Sequence, residues 1–126
     1  MADAVDRASS PWWVIALCAQ WCNVCRDWRA AFDEVASTRP DMNFAWVDVE
    51  DEDEAMGDVD IETFPTLLVA RGDQVLFLGP IPPLQKQFQA LLAALQAQPV
   101  ARPGLPDEAN PLLHRLAADV LPHALV

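Results

Sequence analysis

The feature that most constrains this chain is a junction. An unbroken apolar run, Trp12 to Ala19, leads through Gln20 into Trp21-Cys22-Asn23-Val24-Cys25, and a helical pattern begins at once behind it. The run shows no polar alternation, which is the look of a central strand covered on both faces. Cys25, Trp28, Phe32 and Val35 then recur at helical spacing and define one buried face. A strand therefore delivers a Cys-x-x-Cys to the first turn of a helix. Helix N-termini carry unsatisfied N–H groups and partial positive charge, and both stabilise a thiolate. Two thiols one helical turn apart also close into a disulfide with little backbone movement.

The rest of the chain alternates similarly. The first helix, from about Cys22 to Ser37, must stop before Pro40. Met42 to Val49 reads as a second buried strand, and the acidic block Glu50 to Glu54 as an exposed loop or first helical turn. Thr66 to Ala70 and Val75 to Leu78 form a hairpin around the turn residues Arg71 to Gln74. Leu84 to Gln98 is a helix with Leu84, Phe88, Leu91, Leu92 and Leu95 on one stripe. Pro99 to Pro106 reads as a stiff linker. A last helix spans Asn110 to Leu121, with Asn110 as N-cap, Pro111 at the first helical position and Pro122 as its stop. Its apolar stripe comprises Leu112, Leu113, Leu116, Ala117, Val120 and Leu121.

This order predicts an α/β fold with a mixed central sheet, helices on both faces and a C-terminal helical extension. Residues 1–98 are expected to form one domain, with its core at about 11–98. Residues 99–126 are the linker and a helix docked on the outer surface of that already complete core, with a weak dimer through the tail as the alternative to a monomer.

At 126 residues and 52% apolar composition, a single folded domain is expected. The net charge of −11 argues against nucleic acid and anionic membranes as partners. Met1 to Ser10 has no apolar core, so it does not read as a signal peptide, and no run has the length of a membrane span. A cytoplasmic location follows as the expectation. Structural disulfides are rare there, and a Cys-x-x-Cys is more often catalytic or metal-binding. Structural zinc wants four ligands. Only Cys18, His114 and His123 remain to complete a set, without suitable spacing, so neither metal nor cofactor is expected. Cys18 reads first as a small buried apolar residue and second as an auxiliary thiol near the site.

Trp21-Cys22-x-x-Cys25 after a buried strand, together with Phe64-Pro65-Thr66 opening the third strand, resembles the thioredoxin family. That resemblance covers roughly Pro11 to Gln98. It implies a thioredoxin-like fold and a thiol–disulfide oxidoreductase, reductase or isomerase, that serves cell redox homeostasis. Its partners would be protein disulfides and a thioredoxin reductase or other dithiol donor. Cys22 would be the exposed nucleophile and Cys25 the buried resolving thiol. Trp21, Phe64 and Pro65 would line the substrate groove, with the Phe64–Pro65 bond cis.

Three positions depart from the family pattern. Asn23-Val24 stands where Gly-Pro is usual, Ala16 where a buried aspartate lies beneath the site, and Trp46 where its lysine partner sits. The alternative reading is a binding or chaperone-like module that holds a specific client, with the cysteines as a redox sensor.

Overall fold

The structure is a computed structural model, and it describes residues 11–126. The expectation for Met1 to Ser10 lies outside the described residues. Four strands form one sheet: β1 (Trp12–Cys18), β2 (Met42–Asp48), β3 (Thr66–Arg71) and β4 (Gln74–Pro80), in the spatial order β2-β1-β3-β4. β1 pairs parallel with β2 and antiparallel with β3, and β3 pairs antiparallel with β4. The sheet is therefore mixed, as the strand order predicts. β1 is central, and Val14 to Cys18 are buried on both faces, which is why no polar alternation survives there.

Helix α1 (Asn23–Thr38) links β1 to β2, because a parallel pair needs a crossover that a tight turn cannot supply. The acidic block ends in a single turn, α2 (Asp53–Met56), with Glu50, Asp51, Asp53 and Glu54 exposed. Gly72 and Asp73 alone connect β3 to β4. Gly72 has φ 63°, a left-handed conformation that suits glycine at a tight hairpin.

Alternate residues of β1 enter different cores. Val14 and Ala16 face α1 and α3 (Gln85–Ala97), joining Trp28, Phe32, Val35, Phe88, Leu92 and Leu95. Aromatic rings fill this side. Phe32 stacks on Phe88 with centroids 5.6 Å apart and meets Trp46 edge-on at 5.3 Å.

Ile15 and Leu17 face the other way, onto α4 (Ala109–Asp119) and the short α5 (Leu121–Ala124). Leu112, Leu113, Leu116, Val120 and Leu121 are all buried against Ile15, Leu17, Val47, Leu68 and Val75. The tail's stripe thus lies on the sheet itself. Apart from α2 and the 59–61 loop, nothing else among the described residues covers this face, so the core is not complete without the tail.

The tail differs from its sequence reading in four details, the first being that the helix begins at Ala109, which makes Pro111 its third residue and not its first. Asn110 is not the N-cap. It lies within α4, and its Oδ1 accepts a hydrogen bond from the Val75 N–H at 2.9 Å, tying the helix to β4. Ala117 is exposed and does not belong to the stripe. Pro122 does not stop the chain at α4 but sits in the first turn of α5.

The linker's path is fixed by hydrogen bonds. The Arg102 N–H donates to the Leu76 carbonyl at 2.8 Å, and its guanidinium donates to the carbonyls of Ala94, Gln98 and Val100 at the end of α3. Orphan carbonyls at a helix C-terminus favour such a cation. At the far end, Leu125 bridges Ala45 and the Val126 N–H donates to the Phe44 carbonyl, so the last residues lie along the outer edge of β2.

Candidate active site

β1 ends at Cys18, and a tight turn follows, closed by the Cys22 N–H donating to the Ala19 carbonyl at 3.0 Å. Cys22 is the N-cap of α1. It has extended backbone angles, its carbonyl accepts from the Arg26 N–H, and its side chain makes no capping hydrogen bond. No acidic residue occupies the first turn of α1. Cys22 is partly exposed and is a free thiol.

Cys25, one turn further on, is buried at 1% exposure and opens the inward stripe of α1. Its sulfur is bonded to that of Cys18, with the two Cα atoms 6.0 Å apart. That separation lies in the ordinary range for a disulfide. Cys18 is therefore neither a mere apolar filler nor only an auxiliary thiol near the site: in this state it is the partner of Cys25. The expected Cys22–Cys25 bond is not the one formed.

The pleat explains the pairing. Cys18 shares the face of Val14 and Ala16, toward α1, and Cys25 is the first residue of α1 that points back at that face. Both signals, the parity on β1 and the stripe on α1, were present in the sequence.

Trp21 is 63% exposed beside Cys22, and its ring meets Phe64 edge-on with centroids 5.6 Å apart. Phe64 is half-buried, Pro65 is buried, and the bond between them is cis, as the family pattern predicts. Leu17 pairs with Thr66, so one step further along this antiparallel register Pro65 falls opposite Cys18. Trp21 and Phe64 border a groove of about 260 Å³ that also includes Val59, Ile61, Glu50 and Asp60.

Ala16 is fully buried and pairs in register with Trp46, so the two departures from the family pattern are neighbours. Aromatic packing fills the space. Trp46 lies 5.9 Å from Trp28, and the Arg29 guanidinium sits 4.6 Å over the Trp46 ring.

A residue the sequence reading passed over is Asp48, which pairs in register with Cys18. Its Oδ2 accepts the Gln20 N–H at 2.8 Å, and its Oδ1 accepts the N–H groups of Glu50 at 2.8 Å and Asp51 at 3.1 Å. One carboxylate thus holds both loops that frame the cysteines. Its position at the end of the strand parallel to β1 was the available signal. With Cys25, Arg26, Arg29 and Trp46 it lines a second cleft, of about 450 Å³.

A strand that ends at a Cys-x-x-Cys helix start, facing a cis-proline strand, defines a thioredoxin-fold protein. The thioredoxin family profile matches residues 2–81, and the chain belongs to that family. A curated relative, a putative thioredoxin 2 of Streptomyces coelicolor, is 31% identical over 62 residues. That match takes in 49% of this chain and 46% of the relative, so the chain spans about half the relative's length. Among solved structures, a Fasciola hepatica thioredoxin superposes with a TM-score of 0.61 at 19% identity, covering 74% of this chain and 89% of that one. The germline thioredoxin Deadhead of Drosophila melanogaster gives 0.62 at 17% identity, covering 75% and 90%. At such identities these two matches establish the shared fold.

Proposed function

We propose that this protein exchanges a dithiol for a disulfide with protein substrates, with Cys22 as the attacking thiol and Cys25 as the thiol that resolves the mixed disulfide. The observation that carries this reading is the contrast between the two sulfurs. Cys22 is partly exposed at an uncapped helix N-terminus beside Trp21, and Cys25 is buried one turn behind it. Thiolate attack needs access, which Cys22 has and Cys25 lacks. A second thiol held one turn away makes release of the substrate an intramolecular step.

The groove between Trp21 and Phe64 would take the client's backbone on either side of its disulfide. Its acidic rim, with Glu50 and Asp60, favours clients with basic residues beside that bond. The cycle needs a dithiol donor. A thioredoxin f2 that shares this fold, with a TM-score of 0.62, has been solved in complex with ferredoxin:thioredoxin reductase, and a reductase of that general kind would serve here.

Insulin reduction with dithiothreitol, and separately with a bacterial thioredoxin reductase, tests the proposal. Wild type should accelerate the reaction and Cys22→Ser should abolish the acceleration. Client capture with no acceleration by the wild type would instead identify a binding module. A measured potential near about −270 mV would mark a reductase, and one near about −180 mV an isomerase.

A further inference from the structure

Three cysteines meet at this site, and the two that are bonded are the two that solvent does not reach. Cys18 and Cys25 are each 1% exposed, while Cys22 remains a thiol at the surface. Cys25 thus has one partner behind it on β1 and another ahead of it at the start of the same helix. We propose that Cys18 is a third redox residue, which takes over the disulfide from Cys22 and leaves the attacking thiol free in the oxidised protein. The turnover steps rest on the exchange activity proposed above; the pairing of the sulfurs does not.

The steps balance as three exchanges. The Cys22 thiolate attacks one sulfur of a client disulfide, forming a mixed disulfide and releasing the first client thiolate. The Cys25 thiolate attacks the Cys22 sulfur, forming Cys22–Cys25 and releasing the second client thiolate. Cys18, giving up its proton, then attacks the Cys25 sulfur. Cys18–Cys25 forms, the Cys22–Cys25 bond breaks, and Cys22 departs as a thiolate. The client gains two electrons and two protons, and Cys18 and Cys25 together lose them. No other oxidant is required.

Electrostatics favour the last step in this direction. With Cys22–Cys25 bonded, the remaining sulfur is Cys18, which is buried and paired in register with the acidic Asp48, a position that disfavours a thiolate. With Cys18–Cys25 bonded, the remaining sulfur is Cys22, near water and at the positive end of α1. A sulfur that is more stable as a thiolate is also the better leaving group. Cys18 and Cys25 expose only 1% of their surface, Cys25 at the wall of the Asp48 cleft, so re-reduction runs faster backwards than by direct attack of an external dithiol. Cys22 attacks Cys25, and the donor then meets a Cys22–Cys25 bond at the surface.

The intact chain, reduced and then treated with one equivalent of diamide, provides the test. Free thiols are blocked with iodoacetamide, the disulfide is reduced, and the released thiols are tagged with N-ethylmaleimide. Chymotryptic cleavage after Trp21 separates Cys18 from the other two, and fragment ions separate Cys22 from Cys25. In the wild type Cys22 should carry the first label, and Cys18 and Cys25 the second. In Cys18→Ala, which keeps a small apolar side chain, Cys22 should lose its first label because it is now bonded to Cys25.

Second-label tags on Cys22 and Cys25 of the oxidised wild type, with Cys18 blocked by the first, would overturn the proposal. So would first-label tags on all three. The wild-type map decides the matter even if the variant does not fold. A wild type that fails to reduce insulin but shows the Cys18–Cys25 map would sink the exchange activity and leave the pairing standing.

Discussion

The two faces of the sheet are built by different means. The face that carries the cysteines is covered by α1 and α3, which follow closely on the strands they cover, and it is filled with interlocking aromatic rings. The opposite face is covered by aliphatic side chains from the last eighteen residues, brought back along a proline-rich connector. One side joins the thiols to the core through α1, so a packing change there moves the site. The other side lies on the far surface of β1 and reaches the site only at its margin, where Val59 and Ile61 border the Trp21 groove. Stability and function should therefore separate between the faces.

Truncation after Pro99 tests that division most severely. It removes five fully buried aliphatic side chains, each worth about 1.5–3 kcal/mol. Their sum, about 7–15 kcal/mol, matches the whole stability of an ordinary domain. The truncated chain is expected to show no cooperative thermal transition by circular dichroism. A melt within a few degrees of the intact protein would show that the tail is only an ornament of the second face.

Ala16→Asp probes the first face. A carboxyl there is buried among apolar side chains, and burial raises its folded-state pKa above the unfolded value of about 3.9. The native state then holds a proton that the unfolded state has lost, so the mutant's stability falls as pH rises above about 4. The expected loss at neutral pH is several kcal/mol. The pH profile of turnover should also change, since the new group lies beneath the thiols. Urea melts and insulin reduction across pH measure both, and a pH-independent stability difference would refute the burial argument.

Phe32→Ala and Leu116→Ala sharpen the contrast at matched cost. The first should lose about 3–5 kcal/mol and the second about 2–5 kcal/mol, each by leaving a cavity. Under conditions where both remain folded, Phe32→Ala should also slow iodoacetamide reaction at Cys22 or lower insulin reduction, because Phe32 and Cys25 share the inward stripe of α1. Leu116→Ala should leave both rates unchanged. Equal effects on rate would erase the distinction between the faces.

Asn110→Ala should cost about 1–3 kcal/mol, because it leaves the N–H of the buried Val75 without its acceptor. Amide exchange at Val75 should accelerate accordingly. The smallest effect belongs to His123→Ala. Its contact with Glu52, at 3.3 Å, is largely exposed, and such pairs contribute about 0–1 kcal/mol. A loss well beyond that range in a thermal melt would mean that α5 is held by this contact and not by Leu121.

Much of the molecule was legible in order along the chain. The unbroken apolar run of β1 announced a strand buried on both faces, and the Cys25, Trp28, Phe32, Val35 stripe announced α1 and its inward side. Trp21-Cys22-x-x-Cys25 and Phe64-Pro65 marked the candidate site, because a helix start and a strand-opening proline are local properties that neighbouring residues dictate. The apolar stripe of α4 was equally plain. Its destination was not, because a stripe states that a helix must be covered without stating by what. Only the assembled sheet, with Ile15, Leu17 and Val47 left uncovered by α1 and α3, decided that the tail belongs in the core. The same reason governs Asn110, which looked like a cap and became a tie to β4 once α4 had docked. It also governs the sulfurs. Sequence spacing placed Cys22 one turn from Cys25, but Cys18 reaches Cys25 across the strand–helix interface. Short-range periodicity is written in the order of residues, whereas the partner across an interface is set by which surfaces the rest of the fold leaves open.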